Sequence, residues 1–206
     1  MELNKIQFIP RNIRKRFYLR WNRFLFKLNK INYGADCMVY NEIYIKKEQS
    51  ASISIGNHFR FNSGDCYNPL ARNIRGSIFA FKDSKIEIGD HVGLSSCVLW
   101  CSQSIKIGNH VNIGADTIIL DTDSHSLDFQ TRRDRVLDAK SAKTAPVVIE
   151  DDVLIGTRCI ILKGVTIGAR SVIGAGSVVT KSIPADCVAA GNPCRIIKKR
   201  NQDERV

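Results

Sequence analysis

The sequence of 206 residues lacks any run of 18 apolar residues, so no segment is expected to cross a membrane as a helix. Charges are scattered through its N-terminal segment and no small-residue cleavage site follows, which argues against a secretory signal peptide. The seven cysteines are odd in number and contain no CxxC pair. A reduced, cytoplasmic protein is therefore expected.

Acidic residues are nearly absent from the start of the chain. Residues 1–33 contain nine Lys or Arg against Glu2 alone, and so carry +8 of the formal net charge of +11. A nucleic-acid-binding protein does not usually concentrate its charge in this way, and the sequence contains no nucleic-acid-binding motif. Nucleic acid is therefore not expected as a partner.

The sequence does contain a six-residue repeat. Counted from residue 149, every sixth position is a branched aliphatic residue: Ile149, Ile155, Ile161, Ile167, Ile173 and Val179. A second register lies two residues earlier: Val147, Val153, Cys159, Val165, Ser171, Ser177 and Ile183. A period of six fits short strands joined by tight turns, whose side chains alternate between two faces. One such segment cannot bury its apolar face alone, so the repeat predicts a stacked solenoid.

The same period continues upstream and is interrupted twice. It begins weakly at Ile53 and Phe59, continues from Ile86, and resumes at Ile105 after one extra residue near Ser104. The longer interruption is the polar segment 121–146. A long insertion into a regular scaffold is often functional.

These residues resemble the hexapeptide-repeat acyltransferases, whose repeat is roughly [LIV]-G-x-x-[STAV]-x. The segment IGAGSVVTKSIPADCVAAGNPCRIIKK at 173–199 matches the end of that family's domain. The resemblance implies an all-β fold, a left-handed parallel β-helix at 35–192, and a homotrimer with active sites between subunits. An amphipathic helix at 1–34 and a short C-terminal helix or tail at 193–206 are expected to flank it.

The N-terminal segment has helical periodicity from about 11 to 30. The apolar stripe of this helix is Ile13, Phe17, Trp21, Phe24, Leu25 and Leu28, and its basic stripe is Arg16, Arg20, Arg23, Lys27 and Lys30. One interpretation is a helix that covers the first coil or packs on a neighbouring subunit, with a solvated basic face. The other is peripheral contact with an anionic membrane surface on its cytoplasmic side.

The interrupting segment contains the candidate general base. Asp121, Asp123 and His125 alternate along it, and in an extended chain their side chains share one face. Neutral imidazole can accept a proton from a hydroxyl, and a carboxylate nearby fixes its tautomer. The sequence does not say which acid does this. His125 matches the catalytic base of sugar O-acetyltransferases, and the form D-T-D-S-H resembles the polysaccharide branch, which favours Asp123. Leu154 replaces that family's usual Trp.

The other three histidines occupy one repeated position. His58, His91 and His110 each follow I-G-N or I-G-D. Such turns face solvent, and the close His pair of the zinc-binding relatives of this fold is missing. No metal is therefore expected.

The resemblance implies acetyl-CoA as the acyl donor. It places the thioester near the backbone of Thr157, the pantetheine beside Gly174 and Ala175, and the adenine and phosphates beside Thr180, Lys181, Arg195 and Lys198. Basic side chains at the phosphate end fit charge-assisted pairing.

The acceptor is expected near the early coils of a neighbouring chain. The candidate residues are Asn62, Asp65, Tyr67, Asn68, Arg72 and Trp100. Three functions are compatible with the sequence: O-acetylation of a saccharide such as a surface-polysaccharide precursor, N-acylation of an amino-sugar nucleotide or antibiotic, and a non-catalytic assembly module. The basic residues at the phosphate end argue against the third.

Overall fold

The computed structural model describes residues 11–64 and 67–199, which contain two α-helices, two short 3-10 helices (Pro69–Ala71 and Thr131–Arg133) and twenty strands. The α-helices are α1 (Arg11–Leu28) and α2 (Arg135–Ser141). The strands are β1 (Asn32–Tyr33), β2 (Met38–Tyr40), β3 (Tyr44–Lys47), β4 (Ser52–Ile55), β5 (Arg60–Asn62), β6 (Ser77–Ala80), β7 (Lys85–Ile88), β8 (Gly93–Ser95), β9 (Val98–Cys101), β10 (Ser104–Ile107), β11 (Asn112–Ile113), β12 (Ile118–Leu120), β13 (Val147–Ile149), β14 (Leu154–Ile155), β15 (Ile160–Ile161), β16 (Thr166–Ile167), β17 (Val172–Ile173), β18 (Val178–Val179), β19 (Cys187–Ala190) and β20 (Arg195–Lys199).

The strands form three sheets that run along the whole described solenoid. Their orders are β1-β4-β7-β10-β13-β16, β2-β5-β8-β11-β14-β17-β19-β20 and β3-β6-β9-β12-β15-β18. Pairing is parallel from coil to coil, and Ile155 pairs with Ile173, one full coil further along the chain. The predicted left-handed parallel β-helix of hexapeptide repeats is confirmed.

Both predicted registers point into the core. Ile149, Ile155 and Ile161 are fully buried, as is Cys159 in the second register. Ser171 and Ser177 are buried as well, and their hydroxyls donate to the carbonyls of Pro184 (2.8 Å) and Gly174 (2.5 Å). Small hydroxyls can therefore replace aliphatic side chains here, because their hydrogen bonds are satisfied locally.

The extra residue near Ser104 is accommodated by a buried carboxylate. Asp121 is fully buried, and its two oxygens accept hydrogen bonds from the backbone N–H groups of Ser102 and Gln103, both at 2.7 Å. The turn before β10 is thereby held in register. The role of Asp121 is therefore structural, because both of its carboxylate oxygens are used to hold this turn.

Helix α1 packs on the first coil with a face other than its apolar stripe. Tyr18, Asn22 and Phe26 are buried, and the Asn22 side-chain amide donates to the carbonyls of Val39 (3.0 Å) and Asn41 (2.8 Å). The apolar stripe is not the face that covers this coil: Leu25 is half-buried, whereas its other members are exposed. The carbonyls at the end of the coil need donors, and Asn22 supplies them.

The C-terminal segment is a strand, so the predicted short helix is wrong for the residues described. β20 pairs antiparallel with β19, the last strand of the solenoid in its sheet. An open strand edge favours such pairing, which covers its unpaired N–H and C=O groups. Residues 200–206 lie outside the described part of the chain.

The histidine turns stack in a column. His58, His91 and His110 all have φ between 55° and 57°, and neighbouring rings lie 4.5 and 4.7 Å apart. All three are exposed. Within residues 11–64 and 67–199, no group of three or more His, Cys, Asp or Glu side chains could hold a metal ion. No helix in these ranges is long and apolar enough to span a membrane.

Candidate active site

The segment that interrupts the repeat is an ordered loop between β12 and β13. Its base is closed by a bridge between Thr122 and Thr144 and by a hydrogen bond from the N–H of Asp123 to the carbonyl of Lys143 (2.9 Å). Inside the loop, Asp134 caps α2 by accepting from two backbone N–H groups. The loop is therefore positioned by its own hydrogen bonds.

The loop holds His125 against Asp138, a residue of α2. Nδ1 of His125 lies 2.6 Å from Oδ2 of Asp138, and Oδ1 of Asp138 accepts from the N–H of Ser126 at 2.7 Å. The hydrogen bonds from His125 and then Ser126 lower the pKa of Asp138 below its ordinary value. The carboxylate therefore stays ionised at neutral pH.

This contact determines which ring nitrogen can accept a proton. An ionised carboxylate only accepts, so Nδ1 must donate, and the lone pair of the neutral ring lies on Nε2. The His125 side chain is 70% exposed, whereas that of Asp138 is 12% exposed. The pair therefore has the arrangement of a general base and the carboxylate that orients it.

The structure corrects the companion acid that the sequence favoured. Asp123 forms an ion pair with Lys163 (Oδ2 to Nζ, 3.4 Å), and Asp121 holds the turn before β10. The extended-chain argument fails because Ser124 has φ of 62°, which ends the alternation of side chains before His125. Asp138 was missed because it is 13 residues away in sequence. Asp134 is a typical helix N-cap residue, and it could have indicated the helix that carries Asp138 back towards His125.

A cleft of about 310 Å³ lies beside this loop. Trp100 and Phe81 form its aromatic wall, and their ring centroids are 4.8 Å apart. Ser124, which precedes His125, also lines it. Its remaining lining residues are Ser102, Thr122, Ala139, Ala142 and Thr144. A cleft lined by aromatic rings and hydroxyl groups suits a ligand with both apolar and polar edges.

The other predicted acceptor residues are not in this cleft. Asn62 and Tyr67 line a separate depression beside Tyr40, and Asn68 accepts from the N–H of Leu70 at 3.0 Å. Arg72 forms an ion pair with Asp116. Asp65 lies outside the described residues. Within one chain, the structure therefore brings only Trp100 of these described candidates to the cleft beside the His125 loop.

The predicted thioester and pantetheine positions lie along a column of small residues at the carboxyl ends of strands of the second sheet. This column consists of Gly114, Gly156, Gly174 and Ala190. A Cβ atom added to Gly156 would lie 2.5 Å from the backbone nitrogen of Ala175, and one on Gly174 would lie 2.8 Å from the Cβ of Ala190. Thr157 and Ala175 each follow a glycine of the column. The coils therefore stack closely there, and little side chain projects from the wall.

The column ends at the basic residues of β20. Arg195 pairs with Ala190, the last residue of the column, and Lys198 pairs with Val188. A spacing of three would put two strand residues on opposite faces, but the register of β20 shifts between these pairs. Because paired residues share a face, the shift places Arg195 and Lys198 on the same outer face. Thr180 and Lys181 are exposed directly after β18, which belongs to the third sheet.

The cysteines are unsuited to nucleophilic catalysis. Burial raises the pKa of Cys97 to about 12, and burial and then the Asp121 charge raise that of Cys101 to about 12. The six cysteines in the described ranges are all buried. The thiolate is the reactive form, so these side chains are inert at neutral pH.

Comparisons with known proteins found relatives that contain hexapeptide repeats. The family described as "hexapeptide repeat of succinyl-transferase" matches residues 146–181. The crystal structure of a hexapeptide-repeat-containing acetyltransferase from Vibrio cholerae is 31% identical, and the alignment covers 82% of this chain and 76% of that chain with a TM-score of 0.52.

Two curated relatives match over a shorter stretch. The galactoside O-acetyltransferase of Escherichia coli (strain K12) is 39% identical over 102 residues, which are 50% of this chain and 47% of that protein. The 2,3,4,5-tetrahydropyridine-2,6-dicarboxylate N-acetyltransferase of Staphylococcus aureus (strain Newman) is 37% identical over 95 residues, 46% of this chain and 33% of that protein. The chain spans less than half the length of these relatives.

Proposed function

Because the chain belongs to the hexapeptide-repeat acetyltransferases, we propose that it transfers an acetyl group from acetyl-CoA to a hydroxyl group of a saccharide. The observation that carries the proposal is the His125–Asp138 pair on the loop that borders the aromatic cleft. We further propose that the enzyme works in the cytoplasm as a homotrimer whose active sites lie between subunits.

In the proposed reaction His125 acts as general base. Nε2 takes the proton of the acceptor hydroxyl while its oxygen attacks the thioester carbonyl carbon. A backbone N–H near Thr157 stabilises the oxyanion of the tetrahedral intermediate. When that intermediate collapses, the carbon–sulfur bond breaks and the imidazolium returns its proton to the departing thiolate. Asp138 stabilises the imidazolium between these steps, and no covalent enzyme intermediate forms.

The column of small residues fits the donor's long arm. It offers a straight wall of close-stacked backbone with little side-chain bulk, and successive strands are about 4.8 Å apart. From Gly114 to Arg195 it extends about 19 Å by this spacing. Arg195 and Lys198 at its end are suited to the phosphates, with Thr180 and Lys181 as further contacts from the third sheet.

Replacement of Arg195 by Ala is expected to raise KM for acetyl-CoA about tenfold or more, because a hydrogen bond to a charged group contributes about 1.5–3 kcal/mol. The measurement is the steady-state rate of thiol release. S-acetylpantetheine lacks the nucleotide phosphates, so its KM should hardly change in the same variant. Lys106→Ala, an exposed basic residue of β10 on another sheet, is the matched control. Equal changes with both donors would argue against the phosphate contact.

Trp100 and Phe81 suit the apolar face of a sugar ring, and the hydroxyl groups that also line the cleft suit its polar edge. Replacement of Trp100 by Ala is therefore expected to raise KM for the acceptor about tenfold while KM for acetyl-CoA stays the same, since stacking of this kind contributes about 0.5–1.5 kcal/mol beyond burial. The control is Phe79→Leu, which changes a ring that contacts Trp100 but is not among the residues that line the cleft. An unchanged acceptor KM in Trp100→Ala would exclude the cleft as the acceptor site.

N-acylation of an amino sugar is the second candidate, and the similarity to the staphylococcal N-acetyltransferase favours it. The test is transfer from acetyl-CoA to a panel of saccharides and matched amino sugars, with the products identified by mass spectrometry. Ester products support the proposal, whereas amide products alone replace it with the second candidate. No acetyl-CoA binding at all would indicate the non-catalytic assembly module.

A further inference from the structure

One face of α1 exposes a row of large apolar side chains, called here the aromatic row. Its members are Ile13, Phe17, Trp21, Phe24 and Leu28, and each is between 43% and 66% exposed. Phe17 stacks on Trp21 with centroids 6.2 Å apart, and Trp21 lies 5.8 Å from Phe24. Scattered apolar residues are normal on a protein surface, but a contiguous row of this kind marks an interaction site.

The row is fixed in its outward direction by the opposite side of the helix. Asn22 and Phe26 are each 1% exposed, and the Asn22 amide makes its two hydrogen bonds to the first coil. The Arg14 guanidinium also donates to Oδ1 of Asn41 at 2.9 Å. Rotation of α1 to bury the aromatic row would break these bonds and expose Phe26. The exposure is therefore built into the packing of the helix.

A strip of positive charge runs beside the aromatic row. Arg16, Arg20, Arg23 and Lys27 follow one another at helical spacing, and all four are exposed. Arg16 and Arg20 line one depression of about 630 Å³ together with members of the row. Helix α1 contains no acidic residue, and the acid that borders the strip is Asp36, which pairs with His58 at 3.2 Å. The surface is thus both apolar and cationic.

We propose that this face of α1 docks on an anionic lipid bilayer. Aromatic and aliphatic side chains beside arginines match the boundary between acyl chains and headgroups, where the rings enter the apolar layer and the cations meet anionic headgroups. A second copy of the chain fits less well, because pairing two such faces would bring two strips of like charge together. With 18 residues, α1 would lie along about 27 Å of the surface.

The docked orientation would hold the proposed acceptor cleft close to the bilayer. The third sheet begins at β3 in the coil that α1 covers, and Trp100 lies on β9, two strands further along. At about 4.8 Å per strand this separation is about 10 Å, and the thickness of α1 between the coil and the bilayer adds about 10 Å. This consequence rests on the proposed function, whereas the docking itself does not.

The test uses the full chain with phosphatidylcholine vesicles that contain or lack phosphatidylglycerol. In a Trp100→Phe variant, Trp21 is the one remaining tryptophan of the two in the sequence. Its fluorescence is expected to shift to the blue with phosphatidylglycerol vesicles and to change little with phosphatidylcholine alone. Arg20→Glu removes one positive charge and adds one negative charge. At about 1 kcal/mol for each unit of charge, it should weaken binding about 30-fold. Lys106→Glu makes the same charge change on β10 and should bind like the wild type.

Three results would overturn the proposal. The first is no binding of the folded chain to anionic vesicles, with folding checked by circular dichroism. The second is a Trp21 emission that is already blue-shifted without lipid and moves to the red on dilution, which would show that a second copy covers the row. The third is a red shift on deletion of residues 1–10, which would show that this segment covers it. Arg20→Glu should still acetylate a water-soluble acceptor, so loss of docking and loss of catalysis are distinguishable.

Discussion

His125→Asn is expected to lower kcat for acetyl transfer by about two to four orders of magnitude, the usual contribution of a general base. Nε2 is the atom that would take the acceptor's proton, and an amide side chain cannot replace it at neutral pH. KM for acetyl-CoA should stay nearly constant, because His125 lies on the loop and not on the small-residue column. The measurement is initial-rate kinetics with the best acceptor of the panel.

The chain supplies a matched control for this substitution. His110 is an exposed histidine on a turn of the solenoid, with φ of 56°, a conformation that Asn tolerates well. His110→Asn should therefore retain the wild-type rate. A His125→Asn protein that turns over within a factor of three of the wild type, about 0.6 kcal/mol, would contradict general-base catalysis at this residue.

Asp138→Asn is the second substitution with a large expected effect, a loss of about two to four orders of magnitude in kcat. The new side-chain NH₂ would donate towards Nδ1 of His125 and favour the tautomer whose proton is on Nε2, which cannot accept from the substrate. Oδ1 of the new Asn could still accept from the N–H of Ser126, so the loop should remain folded. Asp123→Asn, which alters the ion pair to Lys163, should cost far less.

Combination of the two substitutions separates a shared role from independent ones. If Asp138 acts through His125, the double variant His125→Asn/Asp138→Asn should be about as slow as the slower single variant. Losses that multiply would instead show that Asp138 contributes separately from His125. A larger loss in Asp123→Asn than in Asp138→Asn would restore the acid that the sequence favoured.

The scaffold was predictable because its signal is repeated many times. Each coil presents the same alternation of buried and exposed positions, so chance exceptions such as Ser171 and Ser177 do not hide the period. The interruption at 121–146 was predictable for the same reason, since it stands out against a regular background. The slip near Ser104 was visible in the sequence, but its compensation by the buried carboxylate of Asp121 depends on a contact across coils.

The ends of the solenoid were less predictable, because a single segment carries each signal. In α1 the stripe with the highest hydrophobicity is exposed, and the packing face is centred on Asn22, whose amide matches two carbonyls of the first coil. At the other end, the open edge of β19 pairs with β20, and tertiary pairing overrides the expected helix. In both places the outcome depends on a contact partner outside the segment, and the pattern of the segment itself does not reveal that partner.

For the proposed site, the candidate histidine was identifiable from the sequence, and the acid that contacts it was not. His125 stood out as a lone histidine in the interrupting loop, whereas Asp138 reaches it only because α2 folds back within that loop. The position of Arg195 and Lys198 on the same face of β20 likewise depends on a register shift, which their spacing of three residues does not reveal. Both arrangements depend on the path of the backbone, which a pattern of residue types does not show.

The most direct test of the His125–Asp138 assignment is the protonation of the His125 ring, measured by nitrogen–proton NMR correlation on histidine-labelled protein at a pH where the ring is neutral. His125→Asn identifies the signal among the four histidines. The predicted result is a proton on Nδ1 and a bare Nε2 in the wild type and in Asp123→Asn, with the opposite tautomer in Asp138→Asn. A wild-type ring that carries its proton on Nε2 would contradict the account.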